Sequence, residues 1–311
     1  FFRAGRLIAL VPEPVIDGFT IGIAAIIAVS QFQDALGLSA GKVPADMIPK
    51  LEALWAARAT LSPAALGITA ATIAAILLLR RWRPRWPVLV IAVGFASLAV
   101  LWLHLPVDTV GSRFGALPTG LPAPHWPQVT ADRIVVLLPS AFTIAFLAGV
   151  ESLLSAIVAD RMFGGHHRPS AELLAQGYAN IVTPLFGGLP VTGAIARTAT
   201  NVRAGGRTPV AGMVHALVIL AVVLVAGKLA GTLALPALAA VLLVTALNMA
   251  EPEKWREHLA LSKEDLLLLV LTLVLTVFAD LTIAIGVGVA LGLLLRWGKG
   301  RASAPWTPRG R

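Results

Sequence analysis

Residues 141–208 read AFTIAFLAGVESLLSAIVADRMFGGHHRPSAELLAQGYANIVTPLFGGLPVTGAIARTATNVRAGGRT, and this stretch decides the fold. Its first half is an apolar run with one carboxylate, Glu151, in the middle. Gly187, Gly188, Pro190 and Gly193 then interrupt the helical pattern, and Arg197 follows just inside the restart. An ionisable side chain at membrane depth costs about 2.5–3.5 kcal/mol on insertion scales, which makes each one a functional hypothesis. A carboxylate and a guanidinium beside a helix broken by Gly and Pro are the sequence pointer to a transporter binding site.

The composition agrees with a bilayer. The chain has 311 residues, 57% hydrophobic and 13% charged, with a mean hydropathy of +0.83. Soluble domains carry about 25% charged residues. The absence of cysteine excludes disulfides, thiolate metal sites and a cysteine nucleophile. The net charge of +9 sits in short clusters between apolar runs, the pattern of membrane topology signals rather than of a nucleic-acid surface. No HExxH or GxSxG motif lies in a plausible context, so the chain does not read as an enzyme. Adjacent His166 and His167 in a Gly-flanked loop have poor ligand spacing, and neither a metal nor a cofactor is expected.

Ten segments have the length or pattern of membrane elements. They are Pro14–Phe32, Ser62–Leu79, Pro87–Leu105, Ile134–Ala159, Ala171–Phe186, the short piece Gly193–Ala204, Pro209–Gly227, Leu235–Asn248, Asp265–Ala279 and Asp280–Trp297, with Asp280 as the N-cap of the last. With segments alternating, eighteen Lys and Arg fall on one side. Six fall on the other: Lys42, Lys50, Arg58, Arg113, Arg133 and Lys228. The richer side is cytoplasmic, and the C-terminus lies there. The outer connections Gln33–Leu61 and Pro106–Ala131 are expected to be loops, the second irregular because of its Pro and Gly. Residues 298–311 read as a basic cytoplasmic tail near anionic headgroups. The chain opens Phe-Phe-Arg without methionine and reads as starting inside a longer protein.

Two readings of the site come from the residues alone. Ala148, Glu151-Ser152, Ser155 and Ala159 share one helical face, and small residues there let helices approach, so Glu151 points into a bundle. The restart at Gly193–Ala204 presents free amides and a positive dipole end. Thr192, Gly193, Ala194, Ile195 and Ala196 would offer N–H groups to an anion, and Arg197 would supply the full charge with five donors in a fixed fork. The competing reading pairs Arg197 with Glu151 as a purely structural bridge.

Several strings carry a resemblance: PVIDGFTIGIAAIIAVSQ, GALPTGLPAP, GVESLLSAIVADR, ELLAQGYANIVTPLFGGLPVTGAIARTATNVRAGGRTP, LPALAAVLLVTALNM and TVFADLTIAIGVGVALG. Together they resemble the membrane part of SulP anion transporters, the sulfate permease or solute carrier 26 family. The resemblance implies an all-α membrane protein with part of a seven-plus-seven inverted-repeat fold of the uracil-permease type, containing discontinuous helices. It implies gate helices in 1–131 and 231–297 and an anion-binding core in 132–230 carrying the half-helix 193–204. The family's first four helices and its cytoplasmic STAS domain have no counterpart in the string.

The resemblance further implies secondary anion transport of sulfate, bicarbonate or dicarboxylate type by alternating access in the bacterial inner membrane. It matches Gly193, Ala194, Ile195, Ala196 and Arg197 to the family's half-helix anion positions. Glu151 matches a coupling carboxylate, and its Glu form favours proton-coupled symport. Ser155 supplies a hydroxyl one turn later that keeps sodium open. The expected partners are a small anion and the lipid bilayer, with a homodimer as a further candidate and no nucleic acid. Rival readings are an anion exchanger or channel on the same scaffold, and a non-transporting fragment of a carrier.

Overall fold

A computed structural model describes residues 12–83, 86–115, 120–279 and 281–297. The expected N-cap Asp280 and the basic tail lie outside them. Each of the ten expected segments coincides with a helix or, at 171–186, with a helix and a terminal 3-10 turn. Among the described residues five helical stretches are long and apolar enough to cross a membrane, Glu13–Leu36 and Pro209–Ala230 among them. The chain is a multi-pass membrane protein. Its described residues form two compact units.

The first unit covers Gly120–Leu224. It holds helix α6 (Ala131–Phe163), α7 (Pro169–Val182), the 3-10 turn Thr183–Phe186, α8 (Ile195–Arg203) and most of α9 (Pro209–Ala230). Thr130 caps α6 by accepting from the Arg133 amide at 3.4 Å. Pro139 sits inside α6, where it lacks the N–H of a regular turn. The Thr143 hydroxyl donates to the Pro139 carbonyl at 3.0 Å. Gly164, in the left-handed region at φ 75°, ends the helix. The Asp160 carboxylate then accepts from the His167 amide at 2.8 Å and meets its Nδ1 at 2.7 Å, which closes the turn into α7.

The second unit comprises the described parts of Pro12–Thr119 and Val225–Ala302. It contains α1 (Glu13–Leu36), α2 (Met47–Ala56), α3 (Pro63–Trp82), α4 (Val88–Trp102), α5 (Val110–Phe114), α10 (Leu235–Met249), α11 (Trp255–Leu259), α12 (Lys263–Phe278) and α13 (Leu281–Trp297). Small side chains set the packing distance. A Cβ at Gly18 would strike the Leu269 carbonyl, and one at Gly22 would lie 2.7 Å from Thr276 Cβ, so α1 and α12 touch backbone to backbone. The buried Ala237, Ala239, Ala240 and Ala246 do the same for α10. Thr69, 4% exposed, donates to the carbonyls of Ala35 and Pro236 at 2.9 and 3.2 Å, tying α3 to both neighbours.

Both connections expected as outer loops hold more structure than that reading gave them. The first contains α2 and the 3-10 turn Ala57–Thr60. In the second, Thr109 and Ser112 form a capping box that starts α5. Beside it the chain pairs with residues 231–235: the Val110 amide donates to Leu233 at 2.9 Å, Gly111 to Gly231 at 2.7 Å, and Leu235 to Asp108 at 2.9 Å. Arg113 bridges Asp34 at the end of α1 and Asp108 at 2.7 Å.

Candidate functional site

The broken helix lies between α7 and α8. Gly187, at φ 69°, closes the 3-10 turn, and the amides of Gly187 and Gly188 return to Pro184 and Thr183 at 3.0 Å each. Residues 188–194 then run without regular structure. Backbone of this kind at membrane depth needs a partner for each polar group. Side chains of α6 and α7 supply them at Val191 and Gly193.

Asn180 acts as a substitute strand: its Oδ1 accepts from the Val191 amide at 2.9 Å and its Nδ2 donates to the Val191 carbonyl at 2.9 Å. Gln176, one turn earlier on the same face, donates Nε2 to that carbonyl. The Ser152 hydroxyl donates to Gln176 Oε1 at 3.1 Å and accepts from the Gly193 amide at 3.0 Å. The Thr192 hydroxyl donates to the Ala148 carbonyl at 3.1 Å. Ser155 and Thr198 pair hydroxyl to hydroxyl at 2.5 Å, which fixes the first turn of α8 to α6.

Gly193 is what lets the segment come this close. A Cβ there would lie 3.0 Å from Ser152 Cα and 3.4 Å from Ser155 Cβ. The two serines it faces are buried, at 2% and 4% exposure. The approach is therefore backbone against backbone, with one hydroxyl between.

The half-helix begins at Ile195, two residues later than the sequence pattern suggests, with Ala194 extended at φ −123°, ψ 113°. Thr192 and Gly193 consequently dock the segment onto α6, and the Gly193 amide is engaged by Ser152. The amides of Ile195, Ala196 and Arg197 head the helix, where no intrahelical carbonyl reaches them. No side chain caps them. Arg197 is exposed and makes no hydrogen bond or ion pair among the described residues. Glu151 is half-buried and likewise has no such partner, so the Glu151–Arg197 bridge does not form here. Glu151 adjoins Ser152 and stands four residues before Ser155, both of which contact the broken segment.

Ser155 was expected as a hydroxyl beside the coupling carboxylate; here it is engaged by Thr198. Sequence reading missed the roles of Gln176, Asn180 and Thr198. The available signal was an amide pair four residues apart in an otherwise apolar segment. Among the described residues no group of three His, Asp or Glu side chains is arranged to hold a metal.

Residues 1–272 match the model of the sulfate permease family. The putative sulfate transporter YvdB of Bacillus subtilis is 39% identical over 86% of this chain and 51% of its own length. The bicarbonate transporter BicA of Synechocystis is 32% identical over 77% of this chain and 42% of its own. This chain spans about half the length, or less, of the curated relatives it matches. Among solved structures, the transmembrane domain of a cyanobacterial BicA superposes with a TM-score of 0.77 at 29% identity, covering 91% of this chain and 71% of that one. SLC26A9 shares the fold, with a TM-score of 0.81 at 21% identity over 93% of this chain and 47% of its own. The described residues are thus all-α and follow part of the seven-plus-seven inverted-repeat plan.

Proposed function

The chain belongs to the sulfate permease family, and from that premise we propose that it binds a small anion at the head of α8 and takes part in its secondary active transport. The observation that best supports this reading is the braced break. Side chains of α6 and α7 engage the Val191 amide and carbonyl and the Gly193 amide of the extended backbone. The next amides and the Arg197 guanidinium have no partners among the described residues.

A helix N-terminus contributes about 0.3–2 kcal/mol toward an anion, too little to replace its hydration. Arg197 adds a full charge and a planar fork that matches an oxyanion. The relatives named as sulfate and bicarbonate transporters suggest the same substrate class. They are transporters, not enzymes.

The coupling ion in this reading is a proton on Glu151. An ionised Glu151 on the helix that carries the broken segment repels an incoming anion, and protonation removes the repulsion. Proton and anion then raise each other's affinity by the same factor, which is the linkage of a symporter. Translocation would follow from rigid-body motion of a core at 132–230 against gate helices in 1–131 and 231–297, with the C-terminus cytoplasmic.

The test is anion uptake into proteoliposomes, with radiolabelled sulfate and bicarbonate as probes. Arg197→Ala abolishes saturable uptake, and Arg197→Lys retains charge but loses the fork, so it weakens oxyanions more than halides. An Arg197→Ala protein with wild-type affinity would remove the site assignment.

A further inference from the structure

Lys50 is 7% exposed, the one lysine among the described residues that is buried. It stands on α2, a helix that the sequence pattern left as loop. Its Nζ donates to Ser30 Oγ at 2.9 Å. The Ser30 proton is directed elsewhere, to the Ile26 carbonyl at 2.8 Å. Among the described residues no carboxylate pairs with Lys50. The nearby Asp34 carboxylate is held by Arg113. An ammonium has three donors, and Ser30 takes one.

Lys50 and Ser30 together line a cavity of about 270 Å³ within the second unit. Gln33 adds a third polar group, and Val29, Val43, Pro44 and Leu54 give the remaining wall an apolar character. Burying a charge without a counter-charge is costly, so buried ions are found paired or bound. The cavity therefore offers one uncompensated positive charge, a hydroxyl oxygen and an amide at its polar end, and apolar side walls. A singly charged guest with a compact apolar body complements all three; a doubly charged one would leave a net charge buried.

We propose that this cavity is a second anion site, separate from the head of α8, and that it takes a small monocarboxylate with its carboxylate on Lys50. Gln33, whose Nε2 lies 3.4 Å from the Gly41 carbonyl, is placed to turn toward the guest. Ala45 lines the mouth and is exposed.

The probe is trifluoroacetate, followed by fluorine NMR line broadening with the full chain in detergent. Arg197→Ala is the background, so that the half-helix site is silent. Saturable broadening persists in that background, falls at least tenfold when Lys50→Met is added, and is retained with Lys50→Arg. Ala45→Trp leaves the lysine in place but fills the cavity, and it removes the broadening as well; this variant decides the matter if Lys50→Met does not fold. Equal saturable broadening in the Arg197→Ala and Arg197→Ala/Lys50→Met proteins would overturn the proposal. So would its complete loss in correctly folded Arg197→Ala alone, which would place all binding at α8.

Discussion

Gly193→Ala tests the docking of the broken segment most directly. The added Cβ would lie 3.0 Å from Ser152 Cα, 3.3 Å from its Oγ and 3.4 Å from Ser155 Cβ. Carbon pairs settle at about 3.5–4.0 Å, so the segment or its neighbours must give by a few tenths of an ångström. Overpacking of this kind costs about 1–3 kcal/mol. The Gly193–Ser152 hydrogen bond, now stretched, adds about 0.6 kcal/mol at the average for bonds between membrane helices. At about 1.4 kcal/mol per decade, the docking equilibrium weakens by about ten- to four-hundred-fold. Amide exchange at Val191 and Gly193, bonded to Asn180 and Ser152, reports that equilibrium, because local opening sets the exchange rate. The control is Gly177→Ala on α7, where a Cβ meets nothing within 4 Å and helix propensity favours alanine by about 1 kcal/mol. Exchange should rise by the stated factor in the first variant and stay at the wild-type rate in the second. Unchanged exchange in Gly193→Ala, or an equal rise in both, would refute the close-docking argument.

Further outcomes follow from the same contacts. Ser155→Ala and Thr198→Val in a double-mutant cycle should show a coupling of about 0.6–1.7 kcal/mol in thermal unfolding, whereas additive effects would mean the 2.5 Å pair does not join α6 to α8. Uptake by the wild type should fall as pH rises and Glu151 ionises, while Glu151→Gln should hold the low-pH level throughout; a wild-type slope in that variant would eliminate Glu151 as the coupling group. At Arg113, burial opposes the charge, but the hydrogen bonds it donates to Asp108 and Asp34 outweigh it and hold the guanidinium protonated above the ordinary arginine range. A raised value means the stabilisation is present at neutral pH and is lost as pH rises through the folded-state value. Arg113→Met should therefore destabilise by about 0.5–2 kcal/mol at neutral pH, two partly exposed pairs at the usual scale, with the difference shrinking in 1 M salt.

The membrane segments were legible because bilayer thickness dictates the length of an apolar run, and nothing else in 311 residues needs runs of that length. The break was legible from Gly187, Gly188 and Pro190, whose backbone preferences act locally. Glu151 and Arg197 stood out because charge is rare in such segments. The start of α8 was misplaced by two residues because Gly193 serves contact with Ser152, not helix initiation, and contact across forty residues leaves no local pattern. Helix α2 was hidden because its buried positions, Met47, Lys50 and Leu54, include a lysine, which breaks the apolar stripe that periodicity detects. Helix α5 was masked by the Pro and Gly around it, although Thr109 and Ser112 held the capping signal.

The props beneath the interrupted helix are carboxamides and hydroxyls: Gln176, Asn180, Ser152, Thr192. None of these groups gains or loses a proton in water between acid and alkali, and none is an ion that dissolved electrolyte would shield. The broken segment is thus mechanically deaf to acidity and ionic strength, so a change of charge on a neighbouring side chain would alter the field around it without loosening the bonds that hold it.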